Sequence, residues 1–395
     1  MSVHYQLPTA ADFAVLGGAH DPAISLYAST SPVVAERERA RTAVRSLFTK
    51  GLDQVKSRGA SAADVEALRV EIDAVDGDLQ LWGGLSRSLA IFIAPGFSET
   101  FVLPNRLDDE VAVGSHFSLG QLLRAPSQEQ EAYALAVSAN GWSLWHATPT
   151  DRAVKLDVPD SEGADLDSVT NREPGEERPG HGGPRGDRSR LVGDEGRKTL
   201  LDIYAKRVVD SARKTLGELD PEQRVPVFVF ATEPLLSLIR ERASKTRRVV
   251  LVGGNPDRLG AAEIDFEIRS ELAKLNVAEA STQLKALADD NSGRVETDLA
   301  AIGRQAVDGA VLTYWFDFTR SVNGCFDAES GAIEYAVGDG TGDALADGTP
   351  AGDLLPQIAM LVARKGGTIV TVRADDLDPD VWTGPAVAEL RFALV

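Results

Sequence analysis

Between residues 179 and 190 the chain reads Pro179-Gly180-His181-Gly182-Gly183-Pro184-Arg185-Gly186-Asp187-Arg188-Ser189-Arg190. Glycines let a backbone approach a ligand closely, and arginines hold phosphate oxygens through paired N–H groups. His181 adds a ring that can stack or hydrogen-bond. The charge around this stretch is local: from 178 to 214, ten basic residues face five acidic ones, a net +5. A basic, glycine-rich element of this kind suits entry into an RNA-lined cavity. A solvated linker would have the same composition, because no apolar periodicity is present from 160 to 196.

Other motifs carry less. Gly253-Gly254-Asn255 follows a strand-like run but has neither G-x-G-x-x-G spacing nor a Gly-Lys-Ser/Thr ending, so it reads as an ordinary strand-ending turn. Asp339, Asp343 and Asp347 are spaced by four, unlike a calcium loop, and read as an exposed turn. The five histidines, His4, His20, His116, His146 and His181, show no metal-ligand spacing. His146 sits in an apolar run beside Trp145 and reads as structural. There is no G-x-S-x-G elbow, and nothing marks Cys325 as a nucleophile. Neither a metal nor a cofactor is expected.

These residues need a scaffold, and the composition allows one. The chain has 395 residues, 43% hydrophobic and 26% charged, enough for two to four domains at roughly 100–200 residues each. Sixty acidic residues against 41 basic ones give a formal charge of −19, which argues against general nucleic-acid binding and against a DNA partner. From 277 to 395 the balance is 8 basic to 19 acidic. A single cysteine excludes a disulfide framework. No run approaches the ~20 apolar residues of a membrane helix, and the N-terminus lacks a secretory pattern. No membrane partner is expected, and a cytoplasmic location is.

Strand and helix patterns alternate throughout, which predicts an α/β architecture. Ala23–Ala28 is a strand leading to a helix with the stripe Ala40, Val44, Leu47, Phe48 and Val55, whose other face carries Arg37, Arg39, Arg41 and Arg45, a possible second contact face or a solvated one. Ser61 and Asp64 resemble a capping box before the stripe Val65, Leu68, Ile72 and Val75. Strands at Leu89–Ala94, Thr100–Leu103 and Glu110–Val113 follow, closed by a short helix near Leu119–Leu123. Tyr133–Ser138 and Trp142–Ala147 read as a hairpin over Ala139-Asn140-Gly141, with Asn-Gly supplying the turn, and Ala153–Val158 as a third strand. After the Gly/Arg stretch, Leu201, Tyr204, Val208 and Ala212 mark an amphipathic helix. Further strands are expected at Val225–Ala231, Arg248–Val252, Val311–Phe316, Ile333–Val337, Thr368–Arg373 and Ala388–Leu394. Helices are expected at Pro234–Arg242, Ala261–Asp289, Leu299–Ala310 and Leu354–Arg364, and a turn at Asn323-Gly324.

The hairpin, the basic loop and the helix after it resemble, in that order, the middle domain of archaeo-eukaryotic class-1 peptide release factors and their relative Pelota, where the loop has the form His-Gly-Arg-Gly-Gly-Gln-Ser. The whole chain resembles the bacterial archaeo-eukaryotic release-factor-like proteins, family eleven. The shared features are the Pro8-Thr9 opening, the strand Ala23–Ala28 with its Thr-Ser-Pro exit, and Leu103-Pro104-Asn105-Arg106. Glu195-Gly196-Arg197-Lys198 and Gly254-Asn255-Pro256-Asp257-Arg258 belong to the same set.

The resemblance implies three consecutive α/β sandwich domains. They are 1–126, 127–276 with the basic loop at 171–196 and an RNase-H-like fold, and 277–395 with a Pelota-like fold. It implies work in the ribosomal A site, in termination, rescue or hibernation. The first domain would face the decoding side and the second reach towards the peptidyl-transferase centre. The third would contact a translational GTPase or another protein. Two departures bear on chemistry. Pro184 stands where glutamine would follow the Gly-Gly pair, and proline has neither an N–H nor an amide to place water. No Asn-Ile-Lys-Ser motif for stop-codon reading is present.

The expectation is therefore a ribosome-binding translation factor without a catalytic residue. It would contact ribosomal RNA through His181, Gly182, Gly183, Arg185, Gly186, Arg188, Arg190, Arg197 and Lys198. Two alternatives stay open: a peptidyl-tRNA hydrolase or rescue nuclease using the same loop, and a non-ribosomal adaptor.

Overall fold

In the computed structural model, residues 2–158, 165–166, 194–243, 247–289, 293–382 and 384–393 are described. The architecture is mixed α/β, with four sheets among the described residues. Two compact units form: residues 1–130 together with 272–395, and residues 131–271. The first and third of the three expected segments thus share one unit. The 28-residue helix Ala261–Ala288 carries the second border.

The first sheet contains β1 (Ser2–His4), β2 (Ala19–Ser29), β3 (Ser88–Ala94), β4 (Phe97–Leu103) and β5 (Glu110–His116), in the order β1-β4-β3-β2-β5. All of β3 is buried, as its unbroken apolar run requires. Its alternation sends side chains to two cores. Leu89, Ile91 and Ile93 join Val44 and Phe48 of helix Arg37–Ser57 and Leu68 and Val75 of helix Ala62–Gly77. Ala90, Phe92 and Ala94 face a core shared with Leu299, Tyr314, Phe316 and Ile358.

Ser61 caps the second helix by accepting from the Asp64 N–H, and its hydroxyl donates to the Asp64 carboxylate at 2.6 Å. The complete reciprocal box lies elsewhere, at Thr9 and Asp12, heading the helix Ala10–Leu16. The short closing helix spans Arg124–Ser127, later than expected.

Of the arginine face on the first helix, Arg41 and the more exposed Arg45 both pair with Asp76. Both donate to the Asp76 carboxylate, Arg45 at 2.8 Å through Nε and Nη2, and Arg41 Nη2 also donates to the Asp76 carbonyl at 2.5 Å. Both guanidiniums are thus engaged by one carboxylate. The guanidinium bonds, first that from Arg45, hold the Asp76 carboxyl below its ordinary value. A lowered folded-state pKa adds stability above the unfolded value, near 4, that is lost as pH falls through the folded one. Asp76→Asn is expected to cost about 1 kcal/mol or less at pH 7. It should also flatten the acid limb of stability below about pH 4. Urea unfolding from pH 2 to 7 reads both.

In the unit 131–271, β6 (Ala132–Ser138), β7 (Gly141–Ala147), β8 (Val154–Lys155), β9 (Val227–Ala231) and β10 (Val249–Gly253) run in the order β10-β9-β6-β7-β8. β10, β9 and β6 are parallel, while β7 and β8 are antiparallel additions. The expected hairpin forms, but Ser138 pairs with Gly141, so Ala139-Asn140 makes the connection. Neither residue has positive φ, so the Asn-Gly primed turn is not used. The expected third strand shrinks to two residues. Helix Asp194–Leu219 lays Leu201, Tyr204, Val208 and Ala212 on Tyr133, Leu135, Val137, Val227 and Val229. Burial pushes the Tyr204 phenol well up.

The remaining chain of the first unit adds β11 (Val295–Glu296), β12 (Val311–Asp317), β13 (Asn323–Phe326), β14 (Ile333–Tyr335), β15 (Gly352–Asp353), β16 (Thr368–Val372) and β17 (Ala386–Leu390). They form the sheets β11-β17-β12-β16 and β14-β13-β15. Asn323-Gly324 lies inside β13 rather than in a turn. A Cβ on Gly324 would stand 2.5 Å from the Glu334 carbonyl, so the glycine serves a close strand approach. The chain reverses instead at 327–331, where Gly331 has φ +75° and donates to the Asp327 carbonyl.

Candidate nucleic-acid interface

Three parallel strands end together at one edge of the 131–271 sheet: β6 at Ser138, β9 at Ala231 and β10 at Gly253. Loops at the carboxyl edge of parallel strands are where α/β sheets place ligands, because the connections diverge there. This edge is tightly fixed. The Gly254 N–H donates to the Ala231 carbonyl at 3.1 Å, and Asn255 accepts from the Asp257 N–H. Asn140 Nδ2 donates to Asp257 at 2.7 Å, joining the hairpin connection to the turn after β10. Gly253-Gly254-Asn255 thus works as the strand-ending turn expected. Glu233 accepts from the Ser237 N–H, and helix Leu235–Arg242 follows.

Two of the expected RNA-contacting residues fall here. Arg197 and Lys198, in the first turns of helix Asp194–Leu219, are exposed and line a cavity of about 390 Å³. Ala139, Leu201, Thr232 and Glu233 help to form it. The same Ala139 accepts a hydrogen bond from the Leu166 N–H at 3.1 Å. Leu166, bonded to Ala139, and Lys198, which lines the same cavity as Ala139, lie on either side of the Gly/Arg stretch in sequence. The other expected site residues, His181, Gly182, Gly183, Arg185, Gly186, Arg188 and Arg190, lie outside the described residues.

Farther along the helix the cations divide into two groups. Arg213 and, from helix Leu235–Arg242, Arg242 are engaged by neighbours: Arg242 pairs with Asp202 at 2.6 Å, and the exposed Arg213 with Asp210 and the Arg242 carbonyl. Lys206 and Arg207, like Arg197 and Lys198, have no ion-pair partner among the described residues. Four cations on one helix are thus available to an anionic partner. His146 is tied up, bonded to Glu131 at 2.7 Å and stacked on Tyr133. Ala139, Thr232 and Glu233 escaped the sequence reading, which looked for charge and glycine; their signal was position, each just past the end of a buried strand.

Residues 129–278 match the family model of bacterial archaeo-eukaryotic release factor family 11. The matched residues take in this sheet edge, Leu166 and Lys198. Solved structures similar to the chain include an archaeal translation termination factor, aRF1, at 12% identity, covering 98% of this chain and 99% of that one, with a TM-score of 0.24. An archaeal Pelota, described as ribosome-bound with ABCE1, is 12% identical over 78% of each chain, with a TM-score of 0.35. Saccharomyces cerevisiae Dom34, described as interacting with Hbs1, is 8% identical over 78% of this chain and 74% of that one, with a TM-score of 0.33. No curated protein matches. Among the described residues no helix is long and apolar enough to cross a membrane.

Proposed function

We propose that this protein is a release-factor-like translation factor of the cytoplasm that occupies the ribosomal A site, in rescue or hibernation, without reading stop codons. The observation that carries the reading is the surface at Ala139, which accepts from Leu166 and shares a cavity with the exposed cations Arg197 and Lys198 inside the family-11 match. His181, Arg185, Arg188 and Arg190 would extend this surface onto ribosomal RNA, with Gly182, Gly183 and Gly186 permitting close backbone approach. Pro184, with no amide to hold a water, favours binding over peptidyl-tRNA hydrolysis. The same proposal takes 127–276 as the middle domain between the segments 1–126 and 277–395, which share one compact unit. It also takes a translational GTPase or other protein as partner of the acidic last segment.

Ribosome co-sedimentation across a salt series tests it. Arg197→Glu with Lys198→Glu is expected to weaken binding at least tenfold at physiological salt. The slope of log affinity against log salt should fall by about two, one for each lost phosphate contact. The triple change Arg185→Glu, Arg188→Glu, Arg190→Glu should act the same way. Wild-type protein that stays in the supernatant at low salt defeats the reading. Release of peptide from stalled ribosomes that depends on His181 would replace it with the hydrolase.

A further inference from the structure

In the unit formed by residues 1–130 and 272–395, two arginines share one aromatic ring. The guanidinium carbon of Arg124 lies 4.2 Å from the centre of Phe318, and that of Arg373 lies 5.2 Å from it. Arg373 is neutralised: its Nη2 donates to Asp108, and its Nε stands 3.7 Å from Asp376. Arg124 is not. Its Nε and Nη1 are both buried and have no hydrogen-bond partner among the described residues. Burial pushes its guanidinium down to about 10, so it stays charged at neutral pH. A cation with buried, unpartnered N–H groups is costly, and a bound ion is one way such groups are satisfied.

Arg124 lines a cavity of about 230 Å³. The hydroxyls of Ser127 and Thr371, 3.0 Å apart, belong to the same wall. The volume equals several waters at roughly 30 Å³ each and falls below the roughly 300–1,000 Å³ of pockets for drug-sized ligands. Glu129, Glu279 and Asp376 also border it. Three carboxylates around one free guanidinium repel a nucleotide triphosphate or an RNA backbone, and tolerate a single negative charge.

We propose that Arg124 is the centre of a binding site for a small oxyanion of low charge, a carboxylate or an inorganic phosphate, held by the guanidinium with Ser127 and Thr371 as hydroxyl partners. The site is independent of the ribosomal surface.

Titration calorimetry and urea unfolding of the full chain test it. Phosphate, acetate and chloride are compared at fixed ionic strength and pH 7, for wild type, Arg124→Met and Arg124→Lys. Phosphate or acetate, but not chloride, is expected to bind wild type and to raise its folding equilibrium about tenfold at ten times Kd; whichever of the two acts identifies the oxyanion. Arg124→Met should lose that shift and, without anion, be as stable as wild type or more so, since it removes an unpaired buried charge. Arg124→Lys should keep part of the shift. Equal effects of an anion on wild type and Arg124→Met would mean a general salt effect and overturn the site. Loss of stability in Arg124→Met without anion would also overturn it, because the guanidinium would then serve only to pack Phe318.

Discussion

Phe92→Ala is expected to cost about 3–5 kcal/mol, the usual loss for truncating a buried phenylalanine. Phe92 is completely buried in β3. It meets Tyr27, Phe101 and Phe117 edge-on, with ring centres 5.8, 6.2 and 5.3 Å away. Such pairs add to the area term, so Phe92→Leu should recover only part of the loss. The informative readout is where protection is lost. Phe92 shares its core with Leu299, Tyr314, Phe316, Leu355 and Ile358. Hydrogen exchange should therefore accelerate in β12 and in helix Leu354–Arg364 as well as in β2–β4, while β6 and β9 of the other unit stay protected. Loss confined to residues before 130 would mean that the two segments are stabilised separately.

Arg269→Met should be comparably severe in the unit 131–271. Arg269 and Asp265, one turn apart on helix Ala261–Ala288, are both buried, with Nε 3.3 Å from the carboxylate. The pair clasps a neighbouring segment. Arg269 Nη2 donates to the carbonyls of Thr148 and Asp151 at 2.9 Å, and Asp265 accepts from the Ala153 N–H at 2.8 Å. Removing the cation leaves a buried carboxylate and two carbonyls without it, a loss of about 3–5 kcal/mol. Amide exchange over 148–155 and urea unfolding should both report it. Arg269→Met with Asp265→Leu should be milder than Arg269→Met alone, because no charge is stranded. The segment 148–155 also precedes the Gly/Arg stretch in the chain.

How legible all this is in the sequence depends on the range of the cause. Local causes read well. The stripe Leu201, Tyr204, Val208 and Ala212 is buried as its 3.6-residue spacing demands, and the continuous run Leu89–Ala94 is a strand covered on both faces. The Asn-Gly dipeptides misled for a non-local reason. Gly324 is a glycine because β14 crosses against it, and Gly141 opens a strand while the turn falls one residue earlier. Partners distant in sequence could not be read at all. Nothing near Arg41 or Arg45 reveals that Asp76 claims both, and nothing near Arg124 reveals that Asp108 is taken by Arg373. At the candidate interface, composition located the cations, but only the folded sheet edge shows that Ala139 bonds Leu166 and shares a cavity with Lys198.

The shared core sets a timetable for synthesis. Phe92, Tyr27 and Phe101 emerge from the ribosome early, yet half of what covers them lies beyond residue 299. At roughly 5–20 residues per second, the 260 residues from 130 to 390 take about 10–50 s to make. Over that interval residues 131–271 have all they need to fold, whereas one face of the first sheet waits uncovered. A nascent chain arrested between 131 and 298 should therefore present a sticky apolar sheet face, and chaperones should be drawn to it there more than at any later length.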